Sequence, residues 1–503
     1  MTKIEERIPL QEERKTVHEQ LAQRDAQLAQ RDERILQLEA LVEQQTTLIE
    51  QMQDQIRGLR QQVTSLQERQ SKNSHNSSLP PSSDRFVRQP KSLRQKSEKK
   101  AGGQEGHQGT TLQFSASPDE IIEHRVKSCL FCQQDLQAVA PCVTLRRQVV
   151  DIPLPRLIVQ EHRAEQKQCP HCQQITVAAF PKGVPAPIQY GPNGGAIAVY
   201  LTQQQLLPVE RACEVLHEVL GVQMSEGTVY ELIKRCAKHL ESVEQQIKEA
   251  LIQTTVIHQD ETGLYVAGKR YWMHTSSTPT LTHYHVDPSR GQDALEAIGI
   301  LPVFKGISIH DAWGSYFLYD CEHALCLVHI LRDLVFQAET QKAVWAIDLK
   351  DLLLDMKQAT EQARDQAKPW LDPLEVVDWE AAFLRLLDEG DQVTPRATAP
   401  PGTKGRIKQS AARNLLDRLR KHQQAVFCFL EDLRVDFDNN LAERDLRMIK
   451  VQQKVSGCFR SIAGAQAFSR IRGYLSTLRK QRISLLSALQ ATLCGQPVLP
   501  SFQ

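Results

Sequence analysis

Three carboxylates and four cysteines supply the residue types from which metal chemistry is built. Asp260 closes the run TTVIHQD, and Asp311 follows the run GISIH 51 residues later. Val256, His258 and Asp260 share one face of the first strand, which places the carboxylate at the strand's end. Glu443 falls in the first turn of a helix that Asn439 and Asn440, good N-cap residues, would open. Two strand-end aspartates and one helix glutamate can converge over the edge of a mixed sheet. Three carboxylates make a hard-oxygen site for Mg²⁺, an ion that keeps waters and accepts phosphate oxygens. Two such ions roughly 3.5–4 Å apart stabilise the attacking and leaving oxygens of an in-line phosphoryl displacement. Spacing alone leaves a plainer reading open, of strand-end caps and a glutamate favoured by the helix dipole.

The cysteines fall in two pairs, Cys129-x2-Cys132 and Cys169-x2-Cys172, with 36 residues between them. Two CxxC pairs are the ligand set of a tetrahedral structural Zn²⁺ site, and a zinc ribbon follows. The segment VTLRRQVVDIPLPRLIVQEHRAEQ between them alternates like two strands. Cys142, His124 and His171 stand nearby as bystanders. Twelve cysteines in 503 residues are too dilute for a disulfide scaffold.

The elements that must position these groups are legible in outline. Leu21, Leu28, Ile35, Val42, Ile49, Ile56 and Val63 stand at strict seven-residue intervals. Three positions further on come Arg24, Arg31, Leu38, Gln45, Met52, Leu59 and Leu66, four of them apolar. This repeat specifies a left-handed coiled coil, and β-branched residues at the first position favour two strands. Residues 71–114 are rich in Ser, Pro, Lys and Arg and read as a flexible basic arm. Residues 206–240 read as helix–turn–helix, with Pro208 starting one helix, a turn at Gly221–Met224 and Ser225 capping the next; an ordinary helical hairpin fits equally. Three strands across 253–286, a fourth in GISIH and a fifth in LYDCEHALC follow. Then come a helix at CLVHILRDL, helical patterning through 340–391, a Pro/Gly loop at 394–406 and a helical C-terminal part.

Composition is that of a globular chain long enough for several domains, with no apolar run long enough to span a membrane and no secretory h-region at the N-terminus. A bacterial cytoplasmic, nucleoid-associated protein with no membrane partner is expected. The net charge of +1 conceals segregation. Residues 85–100 hold seven Lys/Arg against one Glu, residues 440–482 ten against two acidic groups, and residues 339–391 six against thirteen. Local basic blocks of this kind bind polyanions whatever the total.

Several motifs in order resemble the insertion-sequence-66 family of DDE transposases over nearly the whole chain. QSKNSHNSSLPPSSDRF (70–86) and AGGQEGHQGT (101–110) resemble the family's NSxNSSxPPSSD and GGQxGHxG segments, and the two CxxC pairs its zinc-binding domain. QDET (259–262) and HDAWGSY (310–316) resemble the motifs bearing the first and second catalytic aspartates. CLVHILRDL (326–334) resembles its CxxHxxR helix start, DNNLAERDLR (438–447) its glutamate motif, and SGCFRS (456–461) the segment that follows. Two departures stand out. Relatives often carry Gly where Ala312 follows Asp311, and Asn or Trp where Leu327 follows Cys326. Neither touches a carboxylate.

The resemblance implies a multidomain α+β/α/β chain: a coiled coil (1–70), a basic linker (71–114), a zinc ribbon (115–182), a helix–turn–helix-like segment (186–246), an RNase H-like catalytic domain (250–455, with a helical insertion at about 340–430) and a helical tail (456–503). The insertion accounts for the 132 residues from Asp311 to Glu443. Asp260, Asp311 and Glu443 are expected to hold two Mg²⁺ or Mn²⁺. The enzyme would nick transposon-end repeats and join the freed 3′ ends to target DNA without a covalent protein–DNA intermediate. Arg444, Arg447, Lys450 and Lys454 on the glutamate helix, and Arg85, Arg88, Lys91 and Arg94 in the arm, are expected on DNA phosphates. His329 is expected near the scissile phosphate or as a helix cap. His258 and His310 are expected in supporting or core roles; Trp272 and Trp313 are expected in the core or stacked on a base. Holding two ends requires a dimer or larger synaptic assembly, and small accessory proteins of the same element are candidate partners. The rival expectations are a non-catalytic DNA-binding regulator that keeps the fold, and a nuclease of the same fold.

Overall fold

The computed structural model describes residues 7–72, 76, 112–152, 157–398 and 407–502. The arm residues Arg85, Arg88, Lys91 and Arg94 lie outside the described residues. The chain divides into two units, Met1–Pro90 with Val335–Ala343, and Lys91–Leu334 with Val344–Gln503. No helix among the described residues is long and apolar enough to cross a membrane.

The first unit is dominated by α1 (Arg7–Ser71), 65 residues of helix. Its Gln, Glu, Arg and Leu content favours helix, and Pro9 stands in the first turn, where a missing N–H is tolerated. The heptad residues lie in solvent along its length; Leu21 is 52% exposed and Ile49 55%.

The second unit opens with two knuckles. In each, the first cysteine's N–H and C=O close the turn: Cys129 N–H to Gln134 O (2.8 Å) and Gln133 N–H to Cys129 O (3.0 Å), with Cys169, Gln173 and Gln174 repeating the pattern. β1 (Gln166–Gln168) and β2 (Ile175–Val177) pair antiparallel around the second knuckle. The alternating stretch expected to supply ribbon strands forms none among its described residues before Gln166, where β1 begins. Leu145, Val149, Ile158 and Val159 are at least 86% exposed, and alternation gives a strand only where one face has something to cover it.

α2 (Pro192–Val199) passes through a π-helical turn into α3 (Val209–Leu220), α4 (Glu226–His239) and α5 (Glu241–Ile252). The expected punctuation holds. Gly221, at φ +67°, ends α3, a conformation that costs glycine nothing, and Ser225 Oγ accepts the Thr228 N–H to cap α4.

β3 (Val256–Val266), β4 (Lys269–Ser277) and β5 (Thr282–Asp287) form an antiparallel meander, its first hairpin turning at Ala267–Gly268. After α6 (Gln292–Ile298), β6 (Ile307–His310) and β7 (Glu322–Leu325) join in parallel on the other side of β3. The mixed five-stranded sheet has the order β5-β4-β3-β6-β7. α7 (Leu327–Gln341) leaves β7, and the expected helical patterning becomes α8 (Val344–Asp365), α9 (Pro373–Val393), α10 (Ala411–Lys421) and α11 (Gln423–Glu431). Part of that region's acidity is answered internally: buried Arg413 meets Asp391 and Asp417, and Arg420 meets Asp388 and Asp391.

α12 (Asn440–Ser456) and α13 (Ile462–Lys480) return to the sheet, and α14 (Leu485–Leu493) packs on α2 and α4. Leu446, Ile449 and Phe468 bury against Leu264, Met273 and Tyr284, each such side chain contributing about 1.5–3 kcal/mol. Asp445 fastens α12 further. Its carboxylate accepts from Ser277 (2.6 Å), Thr282 (3.2 Å) and Lys480 (2.8 Å), and its carbonyl accepts from Tyr284 (2.9 Å).

Candidate active site

Asp260 is not at a strand end. β3 continues to Val266 because its hairpin with β4 runs on, with Asp260 opposite Thr275. Its parallel ladder with β6 stops at His258–Ile309. Asp260 therefore stands just beyond the point where two parallel neighbours part, and Asp311 stands just past the end of β6 at the same place. Glu443 is in the first turn of α12, as expected from Asn439 and Asn440.

Asn439 occupies the N-cap position but makes no side-chain cap. It is buried, and its side chain instead reaches β3, where Nδ2 donates to Gln259 O at 2.7 Å and Oδ1 lies 3.0 Å from His258 Nδ1. The strand bearing Asp260 and the helix bearing Glu443 are thus joined by one amide.

Burial, followed by the negative charges of Glu261, Asp311 and Glu443, holds the Asp260 carboxyl well above the usual carboxylate range. Asp260 Oδ1 accepts the Glu261 N–H at 2.8 Å, and Asp311 Oδ1 accepts the Trp313 N–H at 3.0 Å. Glu443 Oε1 is buried with no hydrogen-bond partner. His329, on α7, brings Nε2 to 3.9 Å from that oxygen. Burial lowers the His329 pKa, which favours the neutral ring.

The sequence reading missed a second layer. Glu261 is buried, with Tyr316 donating to Oε2 at 2.5 Å and Arg290 to Oε1 at 2.6 Å. Burial, then the charge of Asp311, raises its pKa against the opposing pull of Tyr316 and Arg290. Arg290 Nη2 also lies 3.8 Å from Asp311 Oδ2. Its guanidinium sits 4.0 Å from the ring centre of Trp313 and 5.0 Å from that of Trp272. Adjacent acids in QDE could have flagged Glu261; nothing near Arg290 in sequence announces its role.

Burial and neighbouring negative charge raise the proton affinity of Asp260 and Glu261, and a cation relieves that repulsion. The donor set is all oxygen, one oxygen is orphaned, and the set therefore suits a hard divalent ion. A model of the transposase IS66 family matches residues 187–467, which holds every one of these residues. The chain belongs to the IS66 transposase family. A second match, residues 23–113, is to a family of unknown function, DUF6444. No curated protein matches the chain. Membership in the IS66 family implies an enzyme that cuts and joins DNA, and hence binds it.

The other expected residues are placed as follows. Arg444, Arg447, Lys450 and Lys454 are all exposed on α12, and the Lys450 ammonium donates to the Gly263 carbonyl. His258 and His310 are buried, His310 meeting His323 at 3.0 Å. Backbone N–H groups of the following residues lower the Cys129 and Cys169 thiol pKa values in the same way in both knuckles. Among the described residues, one group of three or more His, Cys, Asp or Glu ligand atoms lies wholly within 4.8 Å, and it is Cys326, His329 and Glu443. Asp260 and Asp311 lie outside it, and the four knuckle cysteines form no such group.

Proposed function

We propose that this IS66-family member is a DDE transposase whose Asp260, Asp311 and Glu443 hold two Mg²⁺ or Mn²⁺. The observation that carries the reading is the Asp260 carboxyl pressed by three other carboxylates, beside a buried Glu443 oxygen without a partner. When bound, the ions would supply charge stabilisation for the attacking and leaving oxygens of phosphoryl transfer. The chain's own part is positioning. The Trp313 N–H and Arg290 hold Asp311, the Asn439 amide fixes the Gln259–Asp260 backbone relative to α12, and Asp445 anchors that helix. The strand order, with three antiparallel strands followed by two parallel ones, supports an RNase H-like catalytic core.

The remaining parts follow from the same reading. Exposed Arg444, Arg447 and Lys454, with Lys450 and the arm residues Arg85, Arg88, Lys91 and Arg94, would contact phosphates. α3 and α4, with the basic arm, would engage the terminal repeats. Cys129, Cys132, Cys169 and Cys172 would hold a structural Zn²⁺, a fit supported by backbone donors that favour thiolate. α1 would pair with a second copy, bringing two DNA ends into one assembly; accessory proteins of the element would act at this stage.

The test uses the purified full chain, labelled end DNA and Mg²⁺. Wild type should give cleaved and joined products, while Asp260→Ala, Asp311→Ala and Glu443→Ala should bind ends without cutting. Strand transfer by Asp311→Ala sinks the assignment. End binding without cleavage by wild type, even with accessory proteins added, favours the regulator.

A further inference from the structure

We propose that Cys326, His329 and Glu443 are ligands of a transition-metal ion, best matched by Zn²⁺, in a site that shares Glu443 with the carboxylate triad. Cys326 directly precedes α7 and His329 lies three residues on, so both face the same side at the helix start. Glu443 meets them from the first turn of α12. The three ligand atoms lie within 4.8 Å of one another, and His329 Nε2 is 3.9 Å from Glu443 Oε1. Tetrahedral zinc, with bonds of about 2.0–2.3 Å, needs ligand atoms roughly 3.3–3.7 Å apart, so a contraction on the order of an ångström closes the site.

The donor chemistry selects the ion. One sulfur, one imidazole nitrogen and one carboxylate oxygen suit Zn²⁺ or Co²⁺ and are wrong for Mg²⁺. One ligand atom of the set, Glu443 Oε1, is buried with no hydrogen-bond partner, which folded proteins rarely allow without a reason. The Cys326 sulfur already accepts the Asn439 N–H at 3.2 Å. Burial and then the Glu443 charge nevertheless push the metal-free thiol up to about 12, so the ion itself must displace its proton. His329 and Glu443 are each about a quarter exposed, so an ion can enter and keep a water as fourth ligand. Binding displaces the Cys326 thiol proton to solvent; no electron moves.

The consequence is regulatory and rests on the transposase reading. A Glu443 carboxylate drawn onto zinc is withdrawn from Asp260 and Asp311, so zinc opposes Mg²⁺-supported turnover. The binding itself does not depend on that reading.

The test compares full-length wild type with Cys326→Ser and His329→Gln, after equilibration in buffered Zn²⁺ and, separately, Co²⁺. The knuckle cysteines contribute equally to all three proteins and cancel. Each variant should hold one metal equivalent fewer than wild type, and Cys326→Ser should lose part of the near-ultraviolet thiolate–cobalt band. The zinc concentration that halves Mg²⁺-dependent end cleavage should rise at least about tenfold in Cys326→Ser. Equal metal content and an unchanged cobalt spectrum overturn the proposal. Should Cys326→Ser fail to melt cooperatively, His329→Gln carries the same comparison. A wild type that cuts no DNA counts against the transposase reading, while the metal count still decides this site.

Discussion

Asn439 donates its side-chain N–H to the main-chain carbonyl of Gln259 at 2.7 Å, 180 residues away in sequence. The acceptor immediately precedes Asp260, and the donor stands four residues before Glu443. Asn439→Leu would leave the Gln259 carbonyl and His258 Nδ1 buried and unpaired. A stability loss of about 1–3 kcal/mol is expected in urea unfolding. Metal-dependent cleavage should fall further than that loss explains, because strand and helix lose their fixed spacing. Unchanged stability would mean water replaces the amide.

The crowding around Asp260 predicts a pH dependence with a definite sign. A carboxyl whose pKa rises on folding holds its proton more tightly in the native state. Its stabilising contribution is complete below the ordinary Asp value of about 3.9 and is lost as pH rises through the raised value. Asp260→Asn removes that loss. In EDTA, the variant's stability advantage should therefore grow as pH rises above about 4. Buried His274 and His283, whose pKa values are lowered to about 4 and about 3, slope the other way, but they cancel in the difference. Mg²⁺ should stabilise wild type and leave Asp260→Asn nearly unmoved. A difference flat with pH refutes the account.

Ala312 explains why relatives often place Gly after the second aspartate. Its φ is +67°, in the left-handed region, which costs a side-chain-bearing residue about 1–2 kcal/mol. Ala312→Gly trades that strain against roughly 0.5–1 kcal/mol of added chain entropy. Thermal melts should show a neutral to slightly stabilised protein. Ala312→Val should be clearly destabilised and should disturb the Trp313 N–H bond to Asp311.

Lys480 and Asp445 form an ion pair in which each side chain is only about an eighth exposed. Removing one partner of such a pair strands the other, so Lys480→Met should cost about 3 kcal/mol or more. Because Asp445 fixes α12 to β4 and β5, DNA cleavage should also become more temperature-sensitive. A loss under about 1 kcal/mol would place the pair among ordinary surface bridges.

The exposed heptad row of α1 predicts self-association. Ile35→Lys with Ile49→Lys should lower the sedimentation mass of the full chain without changing the melting of the second unit. An unchanged mass removes α1 from the assembly.

Strands β3 to β7, the helix pair α3 and α4, and the Glu443 helix were legible because local signals marked them: alternation, Ser225, Gly221 and the Asn439–Asn440 pair. What sequence could not show was which neighbour each strand would keep. Asp260 reads as a strand end, yet β3 runs six residues further because β4 pairs with it after β6 has stopped. Asn439 reads as a helix cap, but its amide is drawn to β3. Arg290 stands in an ordinary PSRG turn, and its pairing with Glu261 arises only on folding. Residues 143–152 and 157–165 between the knuckles show the converse, a strand-like pattern without a partner to pair with.

His239, at the end of α4, rests its Nδ1 2.6 Å from the carbonyl of Thr492, 253 residues away. Leu489 and Leu493 of α14 complete the same core as Leu232 and Ala196. During synthesis, the apolar faces of α2 and α4 stay uncovered until α14 has left the ribosome. The parts proposed to grip DNA and those proposed to cut it therefore mature together. A chain cut short before α14 would present that apolar surface to solvent, so the proposed DNA-gripping helices depend for their cover on a segment that follows the catalytic glutamate.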